Sequence, residues 1–178
     1  MHHRQLVSLV RAMVVLGLVT AGCNGGDGAE TMAPGTDPCT LIEPVELREI
    51  LGMEAGDGVP GVPADALMDG APARDCRWST PDNARTLTLV LRRALTAEDA
   101  DAAVSSVRES FASGGFTPTS VDGVGDDAFF AFNQLHVRSG VDYLSISLTG
   151  LSNDEALAAA RSAATLSLQR LAAPTPGV

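Results

Sequence analysis

Two hydrophobic periods alternate from Pro44 onward in this 178-residue chain, and each switch between them marks a new element. Val45, Leu47, Ile50 and Leu51 recur at helical spacing. Pro44 at the first helical position, Glu46 in the first turn and Gly52 past the end frame a helix over Pro44–Leu51. Residues 53–73 hold four Gly and three Pro with little period, which predicts a long surface excursion. From Asp75 to Thr80 the period becomes two, with Cys76 and Trp78 on one face and Arg77 and Ser79 on the other. Pro81, Asp82 and Asn83 supply a turn, and Leu87, Leu89 and Leu91 alternate through a partner strand over 86–94. Thr96 with Asp99 then forms a capping-box pattern ahead of Ala100, Val104, Val107 and Phe111, a second helix that stops at Gly114 and Gly115.

Period two returns for 128–132, 135–139 and 143–149, a strand meander turning at Asn133 with Gln134 and again at Gly140, Val141 and Asp142. Alternation places Phe130 and Phe132 on one face and Phe129 on the other. Ser152 with Glu155 opens a last helix, whose buried stripe is Leu157, Ala160, Ala164, Leu168 and Leu171. Helix, two strands, helix, three strands, helix, joined by hairpin-length connections, predicts an α+β fold: an antiparallel sheet of about five strands with the helices packed on one face.

The first 37 residues follow a different logic. His2, His3 and Arg4 make a basic leader, Arg11 closes it, and Ala12 to Val19 is uninterrupted apolar sequence leading to Ala21, Gly22 and Cys23. Ala12 to Gly22 is about 11 residues, against the roughly 20 needed to cross a bilayer core, so an export signal fits better than a permanent span. The Leu18-Val19-Thr20-Ala21-Gly22-Cys23 ending resembles the signal peptides of bacterial lipoproteins. That resemblance implies a signal peptide over 1–22 and lipidation of Cys23, with attachment to a membrane through acyl chains. The Gly-rich segment 23–37 reads as a flexible tether with a reach of about 20 Å, 38–172 as a single domain, and 173–178, with Pro174, Pro176 and Gly177, as a disordered tail.

Charge narrows the partners. Of 12 basic residues, all Arg, two (Arg4 and Arg11) lie in the leader, so 10 arginines face 22 acids in the remainder. Such a body disfavours nucleic acid and would be repelled by an anionic membrane surface. With Cys23 assigned to lipid, Cys39 and Cys76 remain, and an exported pair is most simply a disulfide, worth roughly 3–4 kcal/mol through loop closure. The alternative, a metal site, finds few further ligands, because His136 is the one histidine beyond the leader.

Chemical motifs are sparse. The Gly56–Gly61 run matches a dinucleotide fingerprint by letter but follows a helix and opens none, and Gly123-Val124-Gly125 leads into strand residues. Asp122, Asp126 and Asp127 around two glycines are weak candidates for a hard cation; local turn bonding accounts for them better. No Gly-x-Ser-x-Gly elbow occurs, His136 alternates inside a strand, and Arg92 with Arg93 reads as a solvated strand end before an anion clamp. No catalytic, cofactor-binding or metal residue is assigned and no cofactor is expected.

Asp37 to Pro44 with Leu51 and Gly52, the Cys76-Arg77-Trp78-Ser79 strand and the Val124-Gly125-Asp126-Asp127-Ala128 turn resemble a family of small bacterial lipoproteins of unknown function, abundant in actinobacteria. The resemblance implies an envelope location and pairing of the two cysteines, and it implies no catalytic residues. The expectation is a lipid-anchored, extracytoplasmic, non-enzymatic binding module for an envelope protein or a small ligand. Two alternatives make distinct demands: an envelope hydrolase needs two carboxyls with raised pKa in a deep cleft, and a carrier of apolar molecules needs an enclosed cavity behind Phe130 and Phe132.

Overall fold

The computed structural model describes residues 36–52, 54–61 and 73–173. The proposed signal 1–22, Cys23, almost all of the tether, most of the 53–73 excursion and residues 174–178 lie outside the described residues.

A 3-10 turn at Pro38–Thr40 leads into α1 (Pro44–Leu51), followed by β1 (Val59–Pro60), β2 (Arg74–Ser79), β3 (Thr86–Arg93) and α2 (Ala97–Ser113). Then come β4 (Thr119–Ser120), β5 (Asp127–Ala131), β6 (Gln134–Ser139), β7 (Asp142–Thr149) and α3 (Asn153–Ala172). The helix starts are built as the sequence dictates. Glu46 accepts the Glu43 N–H at 2.7 Å, Thr96 and Asp99 cap one another at 3.1 Å in both directions, and Glu155 accepts from the Ser152 N–H at 3.0 Å. Gly52 ends α1 at φ 68, a conformation costly for any residue with a Cβ.

All seven strands form one antiparallel sheet in the order β1-β2-β3-β7-β6-β5-β4. This corrects the expected five. The added strands, β1 and β4, are two-residue edges, too short to display an alternating period. The β5–β6 turn also sits one residue earlier than its sequence reading: Phe132 and Asn133 form it, and Gln134 already pairs with Ala131 and Ser147.

The helices divide between the two faces, which corrects the one-faced arrangement. Cross-strand rows such as Cys76–Leu89–Ile146–Leu135–Phe130 gather the apolar side chains of one face. There Leu47 and Leu51 of α1 and Ala156, Ala160, Ala163 and Ala164 of α3 complete the main core. The alanines carry little bulk, so the α3 backbone sits close on the sheet. The adjacent row, Asp75–Val90–Ser145–His136–Phe129, points the other way. Here α2 packs Val104, Val107 and Phe111 against Phe129, Ala131 and Tyr143. Topology explains the split: the chain must pass from β3, beside the central β7, to β4 at the far edge, and α2 makes that crossing over the free face.

Cys39 and Cys76 are bonded, with Cα atoms 5.1 Å apart, so the segment before α1 is fastened to β2. Gly58 runs against this bridge. A Cβ there would lie 2.5 Å from Cys76 Sγ and 2.7 Å from Trp78 Nε1, so only glycine fits. Arg170 adds a second fastening between α3 and α1, donating to the Leu41 carbonyl at 2.7 Å and to Glu46 at 2.8 Å.

The bridge closes a loop between residues 37 apart in sequence, so removing it in a Cys39→Ala/Cys76→Ala variant should cost about 3–4 kcal/mol in urea unfolding. Trp78, 2 % exposed and two residues from Cys76, supplies the fluorescence signal. A loss below about 1 kcal/mol would mean that other contacts fix the loop.

Candidate functional site

Two clusters of side chains stand apart from the main core, one buried and one open. The buried cluster lies under α2. His136 is 3 % exposed, stacked on Phe129 at 4.7 Å between ring centres and flanked by Phe111 at 5.3 Å. Its Nδ1 is 2.6 Å from the Tyr143 hydroxyl, and its Nε2 has no partner among the described residues. Burial lowers the His136 pKa from 6.5 to about 4 and raises that of Tyr143 from 10.0 to about 12. The pair is therefore neutral across the physiological range, a polar insert in an aromatic layer.

Arginines enclose this layer and take up nearby carboxylates. Arg108 lies 4.8 Å over the Phe129 ring and donates to both oxygens of Asp127, at 2.8 and 2.9 Å. Arg138 reaches Asp126 at 3.1 Å and Asp101 at 3.2 Å. Asp126 also accepts the Gly140 N–H at 2.7 Å, and the Asp122 carbonyl accepts from Arg161 at 2.8 Å. Of the three weak cation candidates, the Asp126 and Asp127 carboxylates are paired with separate arginines, while Asp122 meets Arg161 through its backbone carbonyl alone; among the described residues no group of His, Cys, Asp or Glu is arranged to hold a metal. Arg93 holds Asp142 through two bonds of 2.7 and 2.9 Å, while Arg92 is half-buried on the strand beside it. Among the described carboxyls whose pKa departs clearly from the ordinary value, Glu46, Asp82 and Glu155 all move down. Hydrogen bonds from Arg170, Thr80 and Ser152 respectively are the leading causes. A general acid needs the opposite shift.

The open cluster is a groove of about 730 Å³ where the β5–β6 turn, the segment after α2, the end of β7 and the start of α3 meet. Gly115, at φ 84, reverses the chain after α2, and the Phe116 N–H returns to the Phe111 carbonyl at 3.0 Å. That reversal brings the Phe116 ring within 4.9 Å of Phe132. Phe132 and Asn133 stand at φ 50 and 58, the doubly left-handed geometry of a tight two-residue hairpin. Asn tolerates that region; a bulky aromatic pays for it, and the Phe132 side chain gains little burial in return, being 68 % exposed.

Below the two rings polar side chains share the groove with Phe130, Ala131 and Leu148. Gln134 and Ser147 face each other across β6 and β7, with Thr149 and Asn153 beyond, and a buried Asn133 Oδ1 lacks a partner among the described residues. None of the thirteen lining residues is charged, in a chain of net charge −10. The space beside Phe130 and Phe132 is therefore open and rich in amides and hydroxyls, unlike the enclosed apolar cavity a carrier would need. Sequence reading located the Phe residues but gave Phe132 to a strand. The usable signal was an aromatic followed by Asn between two alternating runs, a two-residue turn pattern.

Two measurements test these clusters. The unfolded chain protonates His136 near pH 6.5 and the folded one resists until about 4. Stability should fall as pH drops through that window, by about 3 kcal/mol for this residue. Urea titrations from pH 7 to pH 4 should show the loss in the wild type and a smaller one in His136→Phe; equal losses would place the effect elsewhere. At the rim, Phe132→Gly removes the left-handed penalty, so its melting temperature should match or exceed that of the wild type. A loss above about 1 kcal/mol would make Phe132 a structural residue.

In fold the chain is similar to the extracellular domain of PknH from Mycobacterium tuberculosis, with a TM-score of 0.53 over 73 % of this chain and 94 % of that one. The two share 10 % sequence identity, so the likeness is one of fold. No family model and no curated protein matches the chain.

Proposed function

We propose that this protein is an extracytoplasmic binding module, anchored to the membrane by a lipid on Cys23, that presents the groove beside Phe116 and Phe132 to a neutral small ligand. The observation that carries the binding role is the uncharged, aromatic-rimmed groove on an otherwise acidic body. A pocket of this volume with a few converging polar groups has the proportions of a small-molecule site. The Phe132 backbone adds weight, because strain that the fold does not need is commonly kept for a ligand.

The address is supported separately. The basic and apolar leader ending at Cys23 is the pattern of an exported lipoprotein. The Cys39–Cys76 bond suits an oxidising compartment, and the fold neighbour is itself an extracellular domain. The resemblance to small bacterial lipoproteins agrees with this reading. An envelope enzyme is the less supported role, since the resolved carboxyl shifts run downward and the groove holds no charged group.

Expressed in a bacterium that processes lipoproteins, the full chain should partition into the detergent phase of a Triton X-114 separation, and Cys23→Ser should move it to the aqueous phase. Aqueous wild-type protein would remove the anchor. For the groove, amide spectra of the full processed chain in micelles should shift at Gln134, Ser147 and Thr149 on adding a neutral fragment such as benzamide or propylene glycol. Acetate and guanidinium should leave those amides unmoved. No response to any of the four, or a response to the ions alone, would overturn the binding role.

A further inference from the structure

We infer that the ligand of this groove is a neutral carbohydrate, an oligosaccharide whose ring faces rest on Phe116 and Phe132 and whose hydroxyls bond to Gln134, Ser147 and Thr149. The inference rests on the groove being a binding site and names what it binds.

Three properties of the lining select the class. First, it carries no charge, so an ionic ligand entering it would lose hydration without gaining a counter-charge. Second, its polar groups are amides and hydroxyls, which both donate and accept. A sugar hydroxyl also does both, and each one needs a partner of this dual kind when it leaves water. Third, two aromatic rings stand exposed at the rim, where Phe116 and Phe132 are 42 % and 68 % exposed and inclined at 50° to one another. Their π faces are electron-rich, and the C–H face of a pyranose ring is the complementary surface.

The same properties weigh against other occupants. A lipid chain has no use for seven polar residues among thirteen. A protein partner is anchored chiefly by Trp, Tyr and Arg, and none of these lines the groove.

The sheet register argues for more than one sugar unit. Gln134 pairs with Ser147, Ser147 with Thr88, and Thr88 with Arg77, so these four side chains form one row on the face that carries α2. Thr88 and Ser147 are half-buried and Arg77 is exposed, so the row stays reachable beyond the groove. At about 4.8 Å per strand, the two gaps from Ser147 to Arg77 extend the polar floor by about 10 Å beyond the groove, a platform for an extended chain of sugars.

The test is a printed array of neutral bacterial and plant oligosaccharides probed with the full processed chain, followed by titration of the best glycan. Retention of neutral glycans, with affinity lowered at least about tenfold in both Phe132→Gly and Gln134→Ala, supports the inference. Melting temperatures of the two variants should stay at or above the wild-type value for Phe132→Gly and near it for Gln134→Ala. A third variant, Thr88→Ala, should weaken a hexasaccharide more than the matching disaccharide, since it lies beyond the groove. Retention of no neutral glycan, or equal retention of hexagalacturonate, overturns the inference. If benzamide or propylene glycol still shifts the groove amides in that case, the binding site survives and its carbohydrate ligand does not. If neither fragment nor glycan moves them, both readings fall.

Discussion

The pairing of β3 with β7 is the constraint on which this architecture depends. Eight residues on each strand are in register, from Thr86 opposite Thr149 to Arg93 opposite Asp142, and they join the β2–β3 hairpin to the later four-strand meander. Both ends are fixed. Arg93 and Asp142 form a doubly bonded ion pair at one end, and at the other Gly150, at φ 78, passes so close to the Ala84 carbonyl that a side chain could not be accommodated. Because β7 occupies the centre of the sheet, β4 to β6 are placed on its far side, and α2 must cross one face while α3 returns over the other. A slip of one residue would exchange the faces of the β7 side chains and place Leu144, Ile146 and Leu148 under α2.

Two-sided burial follows from that topology and sets the character of the site. The main core is aliphatic, closed by the disulfide and by Arg170. The second layer is aromatic and smaller, with a neutral His136–Tyr143 pair at its centre and Arg108 above Phe129. It reaches the surface through Phe111, which meets Phe116 at 6.0 Å, and Phe116 in turn meets Phe132. The exposed rings of the groove are thus the outer end of a buried aromatic stack.

Much of the frame was legible in the sequence because it rests on local rules. Two capping-box patterns, the Pro44 and Gly52 that frame the first helix, the alternation of Leu87, Leu89 and Leu91, and the period of two through the last strand each specify an element within a few residues. What escaped was non-local. Two-residue strands have no period to read, and the face chosen by α2 depends on where its flanking strands lie in the sheet. The cysteine bond was readable by elimination, whereas the ion pairs of Asp126 with Arg138 and of Asp127 with Arg108 join distant elements. His136 was legible as a strand residue but not as a buried one, since its cover comes from α2. The groove was illegible for the same reason: Phe116, Gln134, Ser147 and Asn153 share no sequence window, and Gln134 meets Ser147 only through the β6–β7 register.

Hydrogen exchange on the processed protein, with and without a saturating neutral oligosaccharide, tests the central claim most directly. In the free protein, β3 and β7 amides should exchange slowest and the 115–120 and 131–134 segments fastest. With the glycan, protection should rise at 131–135 and 147–150 and leave α1 and the Cys39–Cys76 region unchanged. Protection gained elsewhere, or none gained at these two segments, would contradict the account.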